Sequence, residues 1–171
     1  MSQLVDQLLE LARFESGTVR PLMVEFEINT VIIDCFKRLE YIAAEKNISF
    51  RLTTLDPFIV KADISMTTIV IENILSNAVK YSPDNQSVEV HLRNESGSIQ
   101  CLISDHGSGI PEDQYSKVFH RFYRVDESRT SQTAGKGIGL AIVKRLAEIQ
   151  QLGISIHSTP SSGTTFTISF A

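Results

Sequence analysis

Asp105-His106-Gly107-Ser108-Gly109-Ile110-Pro111 and, further along, Gly135-Lys136-Gly137-Ile138-Gly139-Leu140 are the stretches on which the reading of this chain turns. Between them stands Phe119-His120-Arg121-Phe122-Tyr123-Arg124. Glycine clusters permit positive φ and close backbone approach to a ligand. The second cluster runs into an apolar helical pattern. A cluster that opens a helix offers free N–H groups and a positive dipole end to a phosphate. Asp105, ahead of the first cluster, is placed to accept from an exocyclic amine. Together the stretches point to a nucleotide whose base and phosphates are held at different places. A single cluster would be read equally well as a turn or a helix cap. The spacing excludes the G-x-G-x-x-G of a dinucleotide fold, and no G-x-x-x-x-G-K-[ST] phosphate loop occurs. Asp105-His106-Gly107 mimics the D-F-G of eukaryotic-type kinases, but no V-A-I-K lysine or H-R-D loop accompanies it.

A third element lies upstream. Ile69-Val70-Ile71-Glu72-Asn73-Ile74-Leu75-Ser76-Asn77-Ala78-Val79-Lys80-Tyr81-Ser82-Pro83 has helical periodicity and is stopped by Pro83. Asn73 and Asn77 are spaced i, i+4 and Lys80 follows at i+7, so all three face one side. Asparagine is a poor helix former because its amide competes for backbone groups. Two of them on one face serve either surface exposure and capping, or the supply of amide oxygens to a hard cation such as Mg²⁺. Lys80 would then add a point charge for phosphates.

The asparagine helix, D-x-G-x-G, F-x-R-F-Y-R and G-x-G-x-G-L follow one another in that order. This arrangement resembles the catalytic, ATP-binding domain of bacterial sensor histidine kinases, with its N box, first glycine box, F box and second glycine box. The resemblance covers Thr18 to Ala171. The wider superfamily includes gyrase, heat-shock and mismatch-repair ATPases, and the F box favours the histidine kinase branch. The resemblance implies ATP bound between the asparagine helix and a lid. It implies Asp105 at the adenine amino group, with Gly107 and Gly109 allowing close approach at the base. Asn77 would hold Mg²⁺, with Asn73 second. Lys80 and Tyr81 would lie near the phosphates, and Gly135, Gly137 and Gly139 would offer N–H groups there, Leu140 following. Lys136 adds a possible phosphate contact. Arg121 or Arg124 would stabilise the transferring γ-phosphate; the sequence does not choose between them, and either suits a surface salt bridge.

Length and composition agree with one domain plus an appendage. The net charge of −4 gives no basic footprint for nucleic acid. The two cysteines, Cys35 and Cys101, lie far apart without metal-ligand spacing, and read as small buried hydrophobes in a reduced, cytoplasmic setting. No apolar run approaches the ~20 residues needed to cross a bilayer, so this fragment is expected to make no membrane contact. No signal peptide is visible.

Met1 to Glu15 is strongly helical, with Met1, Leu4, Leu8, Leu11 and Phe14 or Glu15 in a heptad-like stripe and Gly17 as its stop. Leu8-Leu9-Glu10-Leu11-Ala12-Arg13-Phe14-Glu15-Ser16-Gly17 resembles the end of the second dimerisation helix of histidine kinases, which joins a four-helix bundle in a dimer. The alternative is a generic amphipathic helix packed on the core. The expected organisation is therefore a dimerisation-helix remnant at 1–17 and the catalytic domain at 18–171, mostly monomeric, cut from a homodimeric parent anchored in the inner membrane.

Beyond Thr18, Val24–Ile28 alternates like a half-buried strand. Asn29 or Thr30 is expected to cap a helix running to about Lys46, and Asp63 to cap the asparagine helix. Strands are predicted near Ile48–Leu52, Phe58–Lys61, Val88–Leu92, Ile99–Ile103, Ile154–Ile156 and Thr165–Phe170. Val88–Leu92 and Ile99–Ile103 read as an antiparallel pair joined through Asn94–Ser98. Pro111–Val118 reads as a short helix, Val125–Ala134 as a mobile lid with little to bury, and Ile138–Gln150 as a helix. The mixture lacks strict βαβ alternation, and predicts a two-layer α/β sandwich with helices on one face of a mixed sheet.

In this family the phosphoryl group goes to a histidine on the first dimerisation helix, beside an acidic residue and before Thr/Ser-Pro. His91, His106, His120 and His157 all lack that context, so the chain is expected to lack its acceptor and not to autophosphorylate alone. The implied partners are the dimerisation and phosphotransfer domain of the parent and a response regulator. An anti-sigma-type serine kinase and a degenerate nucleotide-binding interaction module are the competing readings. Gln150-Gln151-Leu152-Gly153 stands where the family commonly has a His-Gly-Gly turn, a change expected to alter a loop and not the site.

Overall fold

The computed structural model describes residues 3–54, 56–125 and 137–171. Among them the chain order is α1 (Gln3–Glu15), β1 (Val24–Glu27), α2 (Ile28–Glu45), β2 (Ser49–Leu52), β3 (Ile59–Ala62), α3 (Ile64–Tyr81), β4 (Ser87–Glu95) and β5 (Ser98–Ser104). Two 3₁₀ turns follow at Glu112–Gln114 and Lys117–Phe119, and then α4 (Gly139–Gln150), β6 (Gly153–Thr159) and β7 (Gly163–Phe170). Five strands form one sheet in the order β2-β4-β5-β7-β6, while β1 and β3 pair separately. β2 runs parallel to β4 and the other neighbours are antiparallel, which makes the sheet mixed.

Strand alternation decides which face is covered. Val88, Val90 and Leu92 of β4, Cys101 and Ile103 of β5, and Phe166, Ile168 and Phe170 of β7 are buried. Their neighbours point to the other face and are more open. Helix α3 packs against both α2 and α4, and all three helices touch the sheet, which gives the two-layer sandwich. In α3 the buried positions recur as Met66, Thr67, Val70, Ile71, Ile74, Leu75, Ala78 and Val79, a helical stripe against the sheet and its neighbours. Asp63 caps this helix as expected, accepting from the Met66 amide at 2.9 Å. Its other oxygen accepts from Leu22 N at 2.7 Å, which ties the chain ahead of β1 to the same corner.

Three local expectations need correction. α2 starts at Ile28, after Glu27, with no side-chain cap. Asn29 sits inside the first turn, where its amide donates to Asp56 O at 3.1 Å and accepts from Phe58 N at 2.9 Å. A long-range loop to satisfy has overridden the local capping preference. The predicted helix over Pro111–Val118 is two 3₁₀ turns instead, with Glu112 and Asp113 exposed and little apolar surface to bury on a continuous helix. The turn between β4 and β5 is tighter than predicted, because the ladder runs out to Glu95 and Ser98, leaving Ser96 and Gly97, both at positive φ. Val125 lies in the described chain, but the rest of the expected lid falls outside the described residues, as do Met1, Gly135 and Lys136.

The N-terminal helix folds back. Leu11 and Phe14 are buried and Leu8 packs against the core, while Val5 and Leu9 stay exposed. α1 lies on α4, where Arg145 Nε donates to Phe14 O at 3.1 Å. At its other end, α4 closes on Gln151 at φ 59°, ψ 35°, with Leu152 N bonded to Ala147 O at 2.9 Å. This left-handed closing position favours glycine. Gln151 is exposed and nothing obliges the side chain to be there. Gln151→Gly is therefore expected to stabilise the fold by about 0.5–1 kcal/mol, the relief of left-handed strain less glycine's extra unfolded-state entropy. Urea unfolding measures it, and a lower midpoint would refute the assignment.

Candidate functional site

The four sequence motifs meet at α3. Asn73 donates from Nδ2 to Ile69 O at 2.8 Å, so its amide is folded back on its own helix. Its oxygen faces the first residue of α4: a Cβ on Gly139 would stand 2.7 Å from Asn73 Oδ1. Asn77 lies one turn on, half-buried like Asn73. At the end of the helix the Lys80 amine stands 4.9 Å from the centroid of the Tyr81 ring, a cation–π distance. Burial pushes the Lys80 pKa down, and the positive charge of Arg124 adds to that. Burial pushes the Tyr81 phenol up, against the opposing effect of Arg124. Arg124 thus belongs to the end of α3.

Arg121 faces elsewhere. Its guanidinium pairs with Glu15 at the end of α1. The two arginines that the sequence left equivalent are divided between α1 and α3. The segment between them is pinned by Phe122 N, which donates to Gly137 O at 2.8 Å.

Strand β5 delivers Asp105 to a half-buried position. Desolvation raises its carboxyl above the usual range, opposed first by the Gly107 amide and then by the Thr164 amide. Both amides bond Oδ1, at 2.8 and 3.2 Å, which orients the group. The first glycine cluster then closes on two walls. A side chain at Gly107 would meet Tyr81 O at 2.8 Å, and one at Gly109 would meet Thr159 O at 2.6 Å. The close approach for which these glycines are needed is therefore to the protein's own backbone. Leu140, in the first turn of α4, packs half-buried against the core. Gly135 and Lys136 lie outside the described residues.

Sequence reading missed the support behind Asp105. Gly163 has φ 102°, and a Cβ there would lie 1.9 Å from Asp105 O. Thr164 is buried beside it. Ser158 Oγ donates to Gly163 O at 2.8 Å and accepts from Ile110 N at 2.8 Å, so one hydroxyl joins β6, β7 and the glycine cluster. Tyr115 OH donates to Ser158 O at 3.0 Å and accepts from Ser158 N at 2.8 Å. The sequence alone does not connect the stretch Ser161-Ser162-Gly163-Thr164 to Asp105. Its one signal was a glycine standing directly ahead of the last strand.

Among the described residues no group of three or more His, Cys, Asp or Glu could hold a metal. His106 and His120 are exposed, as are His91 and His157 on their strands. Two open grooves of about 350 and 320 Å³ run along α4, sharing Phe119, Lys144 and Glu148. Neither includes Asp105 or Asn77. No described helix is long and apolar enough to cross a membrane.

Comparison with known proteins agrees with this geometry. Residues 62–171 match the model of the histidine kinase-, DNA gyrase B- and HSP90-like ATPase family. The chain is 32% identical over 169 residues to the sensor-like histidine kinase SenX3 of Mycolicibacterium smegmatis, covering 99% of this chain and 44% of that protein. It is 35% identical over 173 residues to the sensor histidine kinase WalK of Bacillus subtilis, covering 98% of this chain and 28% of that protein. The chain therefore spans less than half the length of these relatives. Among solved structures, the mycobacterial sensor histidine kinase MprB superposes with a TM-score of 0.75 at 28% identity, covering 87% of this chain and 97% of that one. Full-length ShkA in complex with AMPPNP superposes with a TM-score of 0.82 at 24% identity, covering 98% of this chain and 35% of that one. With an N box, two glycine boxes and an F box gathered around one helix, and a family match over 62–171, this chain belongs to the histidine kinase-, DNA gyrase B- and HSP90-like ATPases.

Proposed function

We propose that residues 18–171 are the catalytic, ATP-binding domain of a sensor histidine kinase, and that residues 1–17 are the end of its second dimerisation helix. The observation that carries this reading is the convergence on α3: Gly139 against Asn73, Gly107 against Tyr81, and Arg124 beside Lys80 and Tyr81. Asp105 is the group for the adenine amine. Its Oδ1 is taken by two backbone amides, and Oδ2 is the oxygen that remains to accept a further N–H. Asn77 supplies an amide oxygen to Mg²⁺, which takes few protein ligands when phosphate oxygens and water complete its shell. Asn73 is the weaker candidate, because its Nδ2 is committed to Ile69 and its oxygen faces Gly139. Bound Mg²⁺ would screen phosphate charge. Lys80 and Tyr81 are the groups for the phosphate end, and the N–H groups of Gly137 and Gly139 would serve there too; Gly135 and Lys136 are proposed for the same role from the sequence alone.

The reaction is transfer of the γ-phosphoryl group of ATP to a histidine nitrogen on the parent's dimerisation domain. The bond to the β-phosphate oxygen breaks and a phosphorus–nitrogen bond forms. A response regulator would then take the group from that histidine. The protein's part is positioning and charge neutralisation. Arg124 is the better placed of the two arginines for this, and Arg121 the one engaged with α1. The parent is a homodimer working on the cytoplasmic side, anchored in the inner membrane, and the fragment alone is mostly monomeric.

Mixing the fragment with the parent's dimerisation domain, Mg²⁺ and labelled ATP tests the function. Acid-labile, base-stable label on the added domain is the expected result. Acid-stable label on a serine would point to an anti-sigma-type kinase, and ATP binding without transfer to an interaction module.

Five substitutions test the residues. Asp105→Ala should weaken ADP binding by roughly 1–3 kcal/mol, the cost of leaving the adenine amine unpaired; unchanged affinity by calorimetry would remove Asp105 from the base. Asp105→Asn separates binding from stability. A raised carboxyl pKa means that the ionised form costs stability above that pKa, and that the cost fades as pH falls through it. The Asn variant should therefore be at least as stable as the parent at neutral pH, with the advantage shrinking in acid, which thermal unfolding against pH measures.

Asn77→Ala should leave the fold intact and abolish transfer to the added domain, with the Mg²⁺ dependence of nucleotide binding lost. A variant with the parent's Mg²⁺ dependence would discard the metal assignment.

Arg124→Ala should slow transfer by at least about tenfold, in the range of a lost transition-state donor. Arg121→Ala should slow it less, since a half-exposed ion pair is worth about 0–1 kcal/mol. Single-turnover rates decide, and the reverse order would exchange the two roles.

A further inference from the structure

We propose that Lys46, which lies outside all four motifs, is a positioning residue for the phosphate end of this site, holding and neutralising the C-terminal end of α3 beneath Lys80. The inference rests on the nucleotide reading above. α3 brings Lys80 to the proposed phosphates on its last turn, and that is the unfavourable end of a helix for an anion. The last carbonyls have no helical partner and carry the negative pole of the macrodipole.

The structure accounts for those carbonyls one by one. Ala78 O accepts from Ser82 N at 3.1 Å. Tyr81 O lies against Gly107. Lys46 Nζ donates to Val79 O and Lys80 O, both at 3.0 Å, and also to Ser82 O. An ammonium has three donors and no acceptor. All three donors of Lys46 are met by carbonyls at this one helix end, so the charge is spent there and not on a carboxylate. Ser82 Oγ, beside it, is buried with no hydrogen-bond partner, which marks a corner closed to solvent where a charge is weakly screened.

The lysine is itself fixed. It ends α2, and its own carbonyl accepts from Asn85 N at 2.9 Å. The next residue, Asn47, donates from its amide to Asn85 Oδ1 at 2.7 Å. Both asparagines have positive φ, 51° and 63°, so two loops are bent to meet. Residues 82–85, which leave α3, are thus clamped to Lys46 by main chain and side chain together. A flexible surface lysine would not be held in this way.

A residue that only supported the fold would weaken every ligand alike when changed. Loss of a charge placed at the phosphate end should weaken ligands in proportion to their phosphates. Lys46→Gln keeps hydrogen-bond donors and removes the charge. We expect it to lower Mg²⁺-ADP affinity about five- to tenfold, the scale of a charge at a partly buried helix terminus. Adenosine, titrated by NMR on the same protein, should change by less than about twofold on that scale. Lys46→Cys treated with bromoethylamine restores an ammonium on a stem of similar length, and should recover ADP affinity. Cys35 and Cys101 are buried with their thiols pushed up to about 12, so the new thiol is the reactive one. Equal losses for ADP and adenosine, no loss for either, no recovery on aminoethylation, or failure of both variants to fold would each overturn the positioning role. Absence of ADP binding by the unaltered chain would bring down the nucleotide reading itself, and this inference with it.

Discussion

The constraint on which the structure depends is that α3 must be apolar on one side and polar on the other, within a single helix packed among α2, α4 and the sheet. Its buried stripe from Met66 to Val79 is needed to close the core. The opposite side carries Glu72, Asn73, Asn77 and Lys80, and each meets a particular neighbour or stays half-open. Glu72 pairs with Arg38 of α2 at 2.7 Å, Asn73 with its own helix and Gly139, and Lys80 with the Tyr81 ring. The end of α2 in turn closes the end of α3. A helix built this way cannot rotate in its seat without burying amides or exposing core. That fixes where the polar groups point more firmly than any one hydrogen bond would.

Asp105 shows the cost of that rigidity. Its carboxyl is desolvated, and two backbone amides on Oδ1 offset part of the penalty. Among the described residues no hydrogen bond is made to Oδ2. A buried acid that would be better neutral for stability, yet is held in a fixed orientation, is the pattern expected where a ligand supplies the missing donor. The supporting atoms are specific. Only glycine fits at 163, where the carbonyl of Asp105 occupies the space of a Cβ, and the Ser158 hydroxyl holds the Gly163 carbonyl in place.

The mixed two-layer architecture and the cap at Asp63 could be read from the chain, because they depend on periodicity and short-range spacing. Features that depend on tertiary partners are of another kind. Asn29 looked like a cap and is a bridge to the loop at 56–58, since a buried amide follows its long-range partners. The stretch after Pro111 looked helical and is two 3₁₀ turns anchored by Tyr115, whose hydroxyl brackets Ser158. Lys46 was no more than a helix end, because nothing local shows that three carbonyls of another helix converge on its amine. Gly163 and Thr164 carry no local sign of their role, since their partner, Asp105, is distant in sequence. What the chain hides is the second layer of contacts, in which one residue fixes another that does chemistry.

The F-box segment makes the same point about glycine. The proposed purpose of Gly137 is to offer its N–H to a phosphate, yet the structure gives it a prior task. Its carbonyl accepts from Phe122 N, and a Cβ at 137 would stand 2.9 Å from Phe122 C. Phe122 sits at φ 63°, a region that costs a bulky L-residue about 1–3 kcal/mol, with its ring largely exposed. Apolar burial cannot be what holds it there. The Gly137 contact is the identifiable restraint, with Arg121 paired to Glu15 on one side of it. Gly137 thus has a structural task of its own, restraining Phe122 just ahead of α4.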